Sequence, residues 1–108
     1  MNPGILFKHR TNVKKGDFDD AMRRGYRGDV VVATGSNFYE VCFFDIATAR
    51  FEIETNRLFA QAGLIIIPEM SFENMNRTVN YLHDQGYFLG SLKPHHAEEY
   101  SNYEEAEL

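Results

Sequence analysis

Val30-Val31-Val32-Ala33-Thr34-Gly35-Ser36-Asn37-Phe38-Tyr39-Glu40-Val41-Cys42-Phe43-Phe44 is the stretch on which the fold turns. The three valines are a β-branched run that suits a buried strand. Gly35-Ser36-Asn37 is turn chemistry, and Phe38 to Phe44 reads as a second strand. Two such runs joined by a short glycine-containing loop predict a β-hairpin.

Downstream of the hairpin, Asp45 is placed to cap a helix from Ile46 to about Arg57. Ala47, Phe51 and Leu58 fall near one face of that helix, and Ile46, Ala49 and Ile53 near another. Phe51-Glu52-Ile53-Glu54 alternates as a strand would, but the polar linker a strand needs is missing before it. Leu64 to Ile67 is an apolar run between Gly63 and Pro68 and reads as a central strand buried on both sides. Ser71 then caps the best helix of the chain. Phe72, Met75, Val79 and Leu82 form one apolar stripe, Glu73 suits the first turn, and Gly86 suits a left-handed stop. Tyr87-Phe88-Leu89 reads as an edge strand or as a segment packed on the core.

Upstream, Gly4 to Lys8 reads as a short first strand, Thr11 to Gly16 as a polar connector and Asp17 to Arg24 as a short helix. The order β-α-β-β-α-β with one further helix predicts an α+β fold. Its expected form is a small antiparallel sheet with helices packed on one face, in the manner of a ferredoxin-like sandwich. One globular domain is expected over residues 1–94, followed by an acidic, flexible tail over 95–108.

Charge sharpens that division. Of the 108 residues, 16 are acidic and 11 are Lys or Arg, for a net charge of −5. The tail holds Glu98, Glu99, Glu104, Glu105 and Glu107 with no Lys or Arg, so the rest of the chain is neutral. The basic residues near the N-terminus lie beside Asp17, Asp19 and Asp20 without interleaved aromatics, which argues against nucleic acid as the partner. No apolar run approaches the roughly 20 residues of a membrane span. Met1 to Arg10 has no apolar leader core, and Cys42 is the single cysteine, so a reducing, cytoplasmic setting is expected.

Each candidate for chemistry has a plainer structural reading. Cys42 lies between Val41 and Phe43 with no neighbouring cation, which fits a buried thiol better than a nucleophile. His9, His83, His95 and His96 do not form a spaced metal motif, and no metal or cofactor is expected. Asp17-Phe18-Asp19-Asp20 lacks the glycine and distal glutamate of a calcium loop. Thr34-Gly35-Ser36-Asn37 precedes a strand, whereas a phosphate loop opens a helix. Glu69 and Glu73 flank a strand-to-helix junction, where paired carboxylates do acid–base work, but a capping role accounts for Glu73 equally well. No catalytic residue is assigned. The acidic tail reads either as a solubilising end or as an interaction tail, and Tyr100 and Tyr103 within it favour interaction.

Phe38-Tyr39-Glu40-Val41-Cys42-Phe43-Phe44-Asp45, and Gly63-Leu64-Ile65-Ile66-Ile67-Pro68-Glu69 leading to a capped helix ending in Gly86-Tyr87-Phe88, resemble small bacterial immunity proteins of polymorphic or contact-dependent inhibition systems. The resemblance spans about residues 29–89 and is one of pattern. It implies a protein that blocks a toxin domain stoichiometrically, often a nuclease with a basic cleft, without a cofactor. Acidic residues would meet that cleft and aromatic residues would anchor the complex. The expected partner-binding residues are Glu69, Glu73, Glu98, Glu99, Tyr100, Tyr103, Glu104 and Glu105. Two other readings stay open. One is a ferredoxin-like ligand-binding or enzymatic domain that brings His9, Cys42 or Glu69 into one pocket. The other is a homo-oligomer, a homodimer in its simplest form, whose tail covers a sheet edge.

Overall fold

A computed structural model describes residues 3–8, 25–35, 37–57, 59–100 and 103–105. The fold is α+β, built on a five-stranded sheet. The strands are β1 (Gly4–Lys8), β2 (Tyr26–Thr34), β3 (Asn37–Asp45), β4 (Leu64–Ile67) and β5 (Tyr103–Glu105), in the spatial order β4-β3-β2-β1-β5. The helices are α1 (Ile46–Asn56), α2 (Phe72–Asp84) and the short α3 (Tyr87–Ser91), with a 3-10 turn at Ala97–Tyr100. The expected helix over Asp17–Arg24 lies outside the described residues, as do His9 and Leu58.

The hairpin forms as the sequence predicts. Gly35 takes φ 64°, and β2 and β3 pair antiparallel from Thr34↔Asn37 through Val30↔Val41 to Tyr26↔Phe44, with a bulge between Arg27 and Val30. The side chains of β3 then sort by alternation. Tyr39, Val41 and Phe43 point to one face, here the front, while Phe38, Glu40, Cys42 and Phe44 point to the back.

The front face carries the main core. Ile5, Val30, Val32, Tyr39, Val41, Phe43, Ile65 and Ile67 from the sheet pack against Met75 and Val79 of α2 and Phe88 of α3. The α2 stripe is the predicted one, with Phe72 and Leu82 half-buried at its ends. Ser71 caps the helix by accepting the Asn74 amide at 3.0 Å. Gly86, at φ 73°, turns the chain so that Phe88 drops onto Tyr39, with ring centroids 5.6 Å apart. Tyr87-Phe88-Leu89 is thus helical, not an edge strand, with Tyr87 and Phe88 packed on the core and Leu89 exposed.

Three finer expectations differ from the structure. First, β3, α1 and β4 form a direct β-α-β unit in which β3 and β4 are adjacent and parallel (Cys42↔Leu64 to Asp45↔Ile67). A ferredoxin-like sandwich inserts a strand between its parallel neighbours, so this sheet has another topology. Second, α1 lies on the back: its one buried residue, Ala49, packs with Cys42, Phe44, Phe59 and Leu64. Helices therefore cover both faces. Phe51 of α1 is 62% exposed, and neither predicted apolar face of that helix is buried as a stripe. Third, β4 is an edge strand, not a central one, and its Ile66 is 47% exposed.

Candidate protein-binding surface

Residues 95–105 return to the sheet. His95 exchanges backbone hydrogen bonds with Phe38: the Phe38 N–H donates to the His95 carbonyl at 3.0 Å and the His95 N–H donates to the Phe38 carbonyl at 2.7 Å. The 3-10 turn follows. Glu99 caps its start, accepting the His96 amide at 3.0 Å and standing 3.2 Å from His95 Nδ1. The His96 amide, more than the neighbouring imidazoles, holds the Glu99 carboxyl below the usual carboxylate range.

Tyr100 comes next and is 6% exposed. Its ring stacks on Phe38 (centroids 5.6 Å) and meets Tyr103 edge-on at 5.0 Å, and its hydroxyl donates to Glu40 Oε1 at 3.0 Å. Phe38 and Glu40 belong to the back face, so Tyr100 is seated there. Burial raises the phenol's pKa above its ordinary value, and the Glu40 hydrogen bond adds to the effect. Tyr103–Glu105 then pairs antiparallel with β1, from Lys8↔Tyr103 to Leu6↔Glu105. The described sheet therefore reaches Glu105, and within the tail expected over 95–108 residues 103–105 form a strand that covers the β1 edge.

The expected binding residues divide accordingly. Glu98 and Glu99 are exposed on the 3-10 turn, next to Tyr100, whose hydroxyl is bonded to the exposed Glu40. Glu104 and Glu105 occupy register positions on the outermost strand. Tyr100 is not an exposed anchor, because its ring is spent on Phe38; Tyr103 is half-buried. Glu69 and Glu73 lie elsewhere. They follow Ile67, which pairs with Asp45 at the opposite end of β3 from Phe38. Seven residues of strand separate those ends, about 24 Å at the usual rise. Both side chains are exposed, and Glu73 pairs with Arg77 at 2.8 Å one turn along α2. They lie at the end of the sheet away from His95 and the 3-10 turn.

Cys42 is buried on the back face, where Gln61 Nε2 donates to its sulfur; burial pushes the thiol pKa up, the wrong direction for a nucleophile. A shallow groove lies between the β2–β3 turn and the α2–α3 corner, lined by Thr34, Asn37, His83, Phe88 and Leu89. Neither Cys42 nor Glu69 lines it. Among the described residues no group of three His, Cys, Asp or Glu side chains is placed to hold a metal, and no helix is long and apolar enough to cross a membrane.

No family model, curated protein or solved structure matches this chain.

Sequence reasoning missed two features. Glu40 read only as a strand residue, and its pairing with a residue 60 positions later leaves no local signal. Arg27 is buried with its guanidinium carbon 4.1 Å from the centre of the Phe7 ring, a cation–π contact that only the β1–β2 pairing creates.

Proposed function

We propose that this chain is a binding protein that neutralises a partner protein by stoichiometric complex formation, in the manner of an immunity protein that blocks a basic toxin domain, with a nuclease the leading class of target. The observation that carries the reading is the seating of Tyr100. A free acidic tail offers charge but no geometry, and it loses conformational entropy when it binds. Here the Tyr100 ring is fixed on Phe38 and its hydroxyl on Glu40, so the exposed carboxylates of Glu40, Glu98 and Glu99 stand at set positions on a folded surface. A pre-organised anionic surface steers a cationic partner and rejects anionic ones. It also gives such a partner a defined register.

The test starts from affinity capture with the purified chain at low and high salt, followed by an activity assay of the captured protein. The expected outcome is one basic protein, held one-to-one, released by salt and inhibited while bound. Reversing charge with Glu98→Lys and Glu99→Lys together is expected to weaken that complex by about tenfold or more, mainly through the association rate. Binding that is indifferent to salt and to both reversals, or that leaves the captured protein fully active, would sink the proposal.

A further inference from the structure

The two edges of the sheet are finished differently. At one edge β5 is three residues long, and two of them, Glu104 and Glu105, are acidic, which discourages a further strand. At the other edge β4 is Leu64-Ile65-Ile66-Ile67, apolar throughout and without a charge. Among the described residues no strand pairs with its outer side. The Cys42 N–H donates to the Gly63 carbonyl at 2.9 Å, which sets the parallel ladder. Gly63, Ile65 and Ile67 turn their peptide groups to β3, and Leu64 and Ile66 turn theirs outward. The Leu64 N–H donates to the Gln61 carbonyl at 3.3 Å, so Ile66 is the β4 residue that offers both an N–H and a carbonyl to the outside.

An apolar strip runs beside that edge. Ile66 pairs with Phe44, so its side chain is on the back face, where α1 lies in contact with both β3 and β4. Ala49 is the buried residue of α1, and Thr48 faces the start of β2, where a Cβ on Gly25 would run into its hydroxyl. At about 100° per residue, Ile46 and Ile53 lie within about 60° of Ala49 on the side away from Thr48, which is the side of the β4 edge. Ile46, Ile53 and Ile66 are each close to half exposed. Three isoleucines thus border one unpaired strand edge.

We propose that β4 and the adjoining flank of α1 form a dimer interface, occupied by a second copy of this chain about a two-fold axis, with the two β4 strands antiparallel. The outward groups of Ile66 find their complements on another strand, and an uncharged strand sets no like charges opposite each other. The helices decide that the strand is a copy. The axis stands half a strand spacing outside β4, and α1 straddles β3 and β4, about half a spacing inside it. Doubling that offset puts the two copies of α1 about 10 Å apart, the distance at which helices pack. Ile46 and Ile53 of one copy then face the other across the axis, whereas a lone added strand would leave them bare. A standard interface buries about 800 Å² on each partner, and one short strand with one helix flank falls below it. The dimer is therefore expected to be weak, with a Kd on the order of 10–100 µM. Phe38, under Tyr100, is about 20 Å along β3 from the level of Ile66. The dimer is thus independent of the surface proposed above for a basic partner.

Sedimentation equilibrium of the full chain from about 1 µM to about 1 mM tests this, and the wild type is expected to pass from monomer to dimer over that range. Ile66→Lys sets like charges across the axis, and Ile53→Glu alters only the helix flank; each is expected to raise the Kd by about tenfold or more. Leu89→Lys, at an exposed site on α3, is expected to leave it within about twofold. Both interface residues are half exposed, so the variants are expected to stay folded, which urea unfolding verifies. The wild type alone gives a second readout: exchange of the Ile66 amide is expected to slow by about tenfold or more from the lowest concentration to the highest. A wild type that stays monomeric throughout overturns the proposal. So does a dimer that tolerates both substitutions, or one in which the Ile66 amide exchanges equally fast at both concentrations. No basic partner is present in any arm, so the proposed function keeps its own test.

Discussion

The two faces of the sheet are built on different plans. The front is a continuous core in which eight sheet residues meet the stripe of α2 and Phe88 of α3. The back is covered piecewise. Ala49 and Phe59 pack over Cys42 and Phe44 at one end, and Tyr100 packs over Phe38 at the other. The front is closed mainly by apolar side chains; its buried polar groups are the Tyr39 hydroxyl and the guanidinium of Arg27, which lies over the Phe7 ring. The back mixes rings with the Glu40 carboxylate and exposed helix residues. A face closed in one piece resists change everywhere, whereas one closed by separate pieces can lose one of them and keep the rest.

The sharpest way to break the comparison uses two adjacent residues of β3. Phe43 is fully buried in the front core, and Phe44 is 8% exposed on the back between Tyr26 and Phe59. Phe43→Ala is expected to cost about 3–5 kcal/mol of unfolding free energy, the usual range for a phenylalanine in a closed core. Phe44→Ala is expected to cost less by at least about 1 kcal/mol, because its neighbours are partly exposed and free to collapse into the gap. Urea unfolding of both variants measures the gap. Equal losses would mean that the back is packed as a continuous core after all.

A smaller effect sharpens the account of the back face. Tyr100 has its pKa raised in the folded state by burial and by the Glu40 hydrogen bond. The groups facing it are Glu40, Glu99, Tyr103 and His95. A raised folded pKa favours the protonated phenol, so its contribution is whole below the ordinary tyrosine value near 10 and fades as pH rises through the folded value. The urea midpoint of the wild type is therefore expected to fall more steeply above about pH 10 than that of Tyr100→Phe. Parallel pH profiles would remove Tyr100 from the alkaline response.

Much of this architecture was legible in the residues, for reasons that differ by element. The Val30–Phe44 hairpin was readable because β-branched runs and a glycine turn act locally. Helix α2 was readable because Ser71, the stripe and Gly86 agree. The burial of Cys42 followed from its apolar neighbours. What escaped was non-local. Tyr103–Glu105 has two glutamates and three residues in all, and it becomes a strand only because β1 offers an edge. Tyr100 was read as an aromatic anchor for a partner, and the same chemistry anchors it to Phe38 of its own chain. Leu64–Ile67 read as central because four apolar residues fit burial on both faces, yet nothing in that run says which strand lies beyond it.

The smallest expected effect concerns α1, where pattern and packing part company. Asp45 caps the helix by accepting the Thr48 amide at 2.7 Å, and Arg57 closes it with φ 62°, yet only Ala49 is buried. Its local caps therefore carry more of its stability than its apolar residues do. Phe51 is 62% exposed, so Phe51→Ser removes little buried area and is expected to shift stability by no more than about 0.5 kcal/mol. A buried phenylalanine would cost several times that. Thermal unfolding of Phe51→Ser beside Phe43→Ala thus compares two rings eight residues apart in the sequence, and a large loss at Phe51 would mean that α1 packs against something its exposure does not reveal.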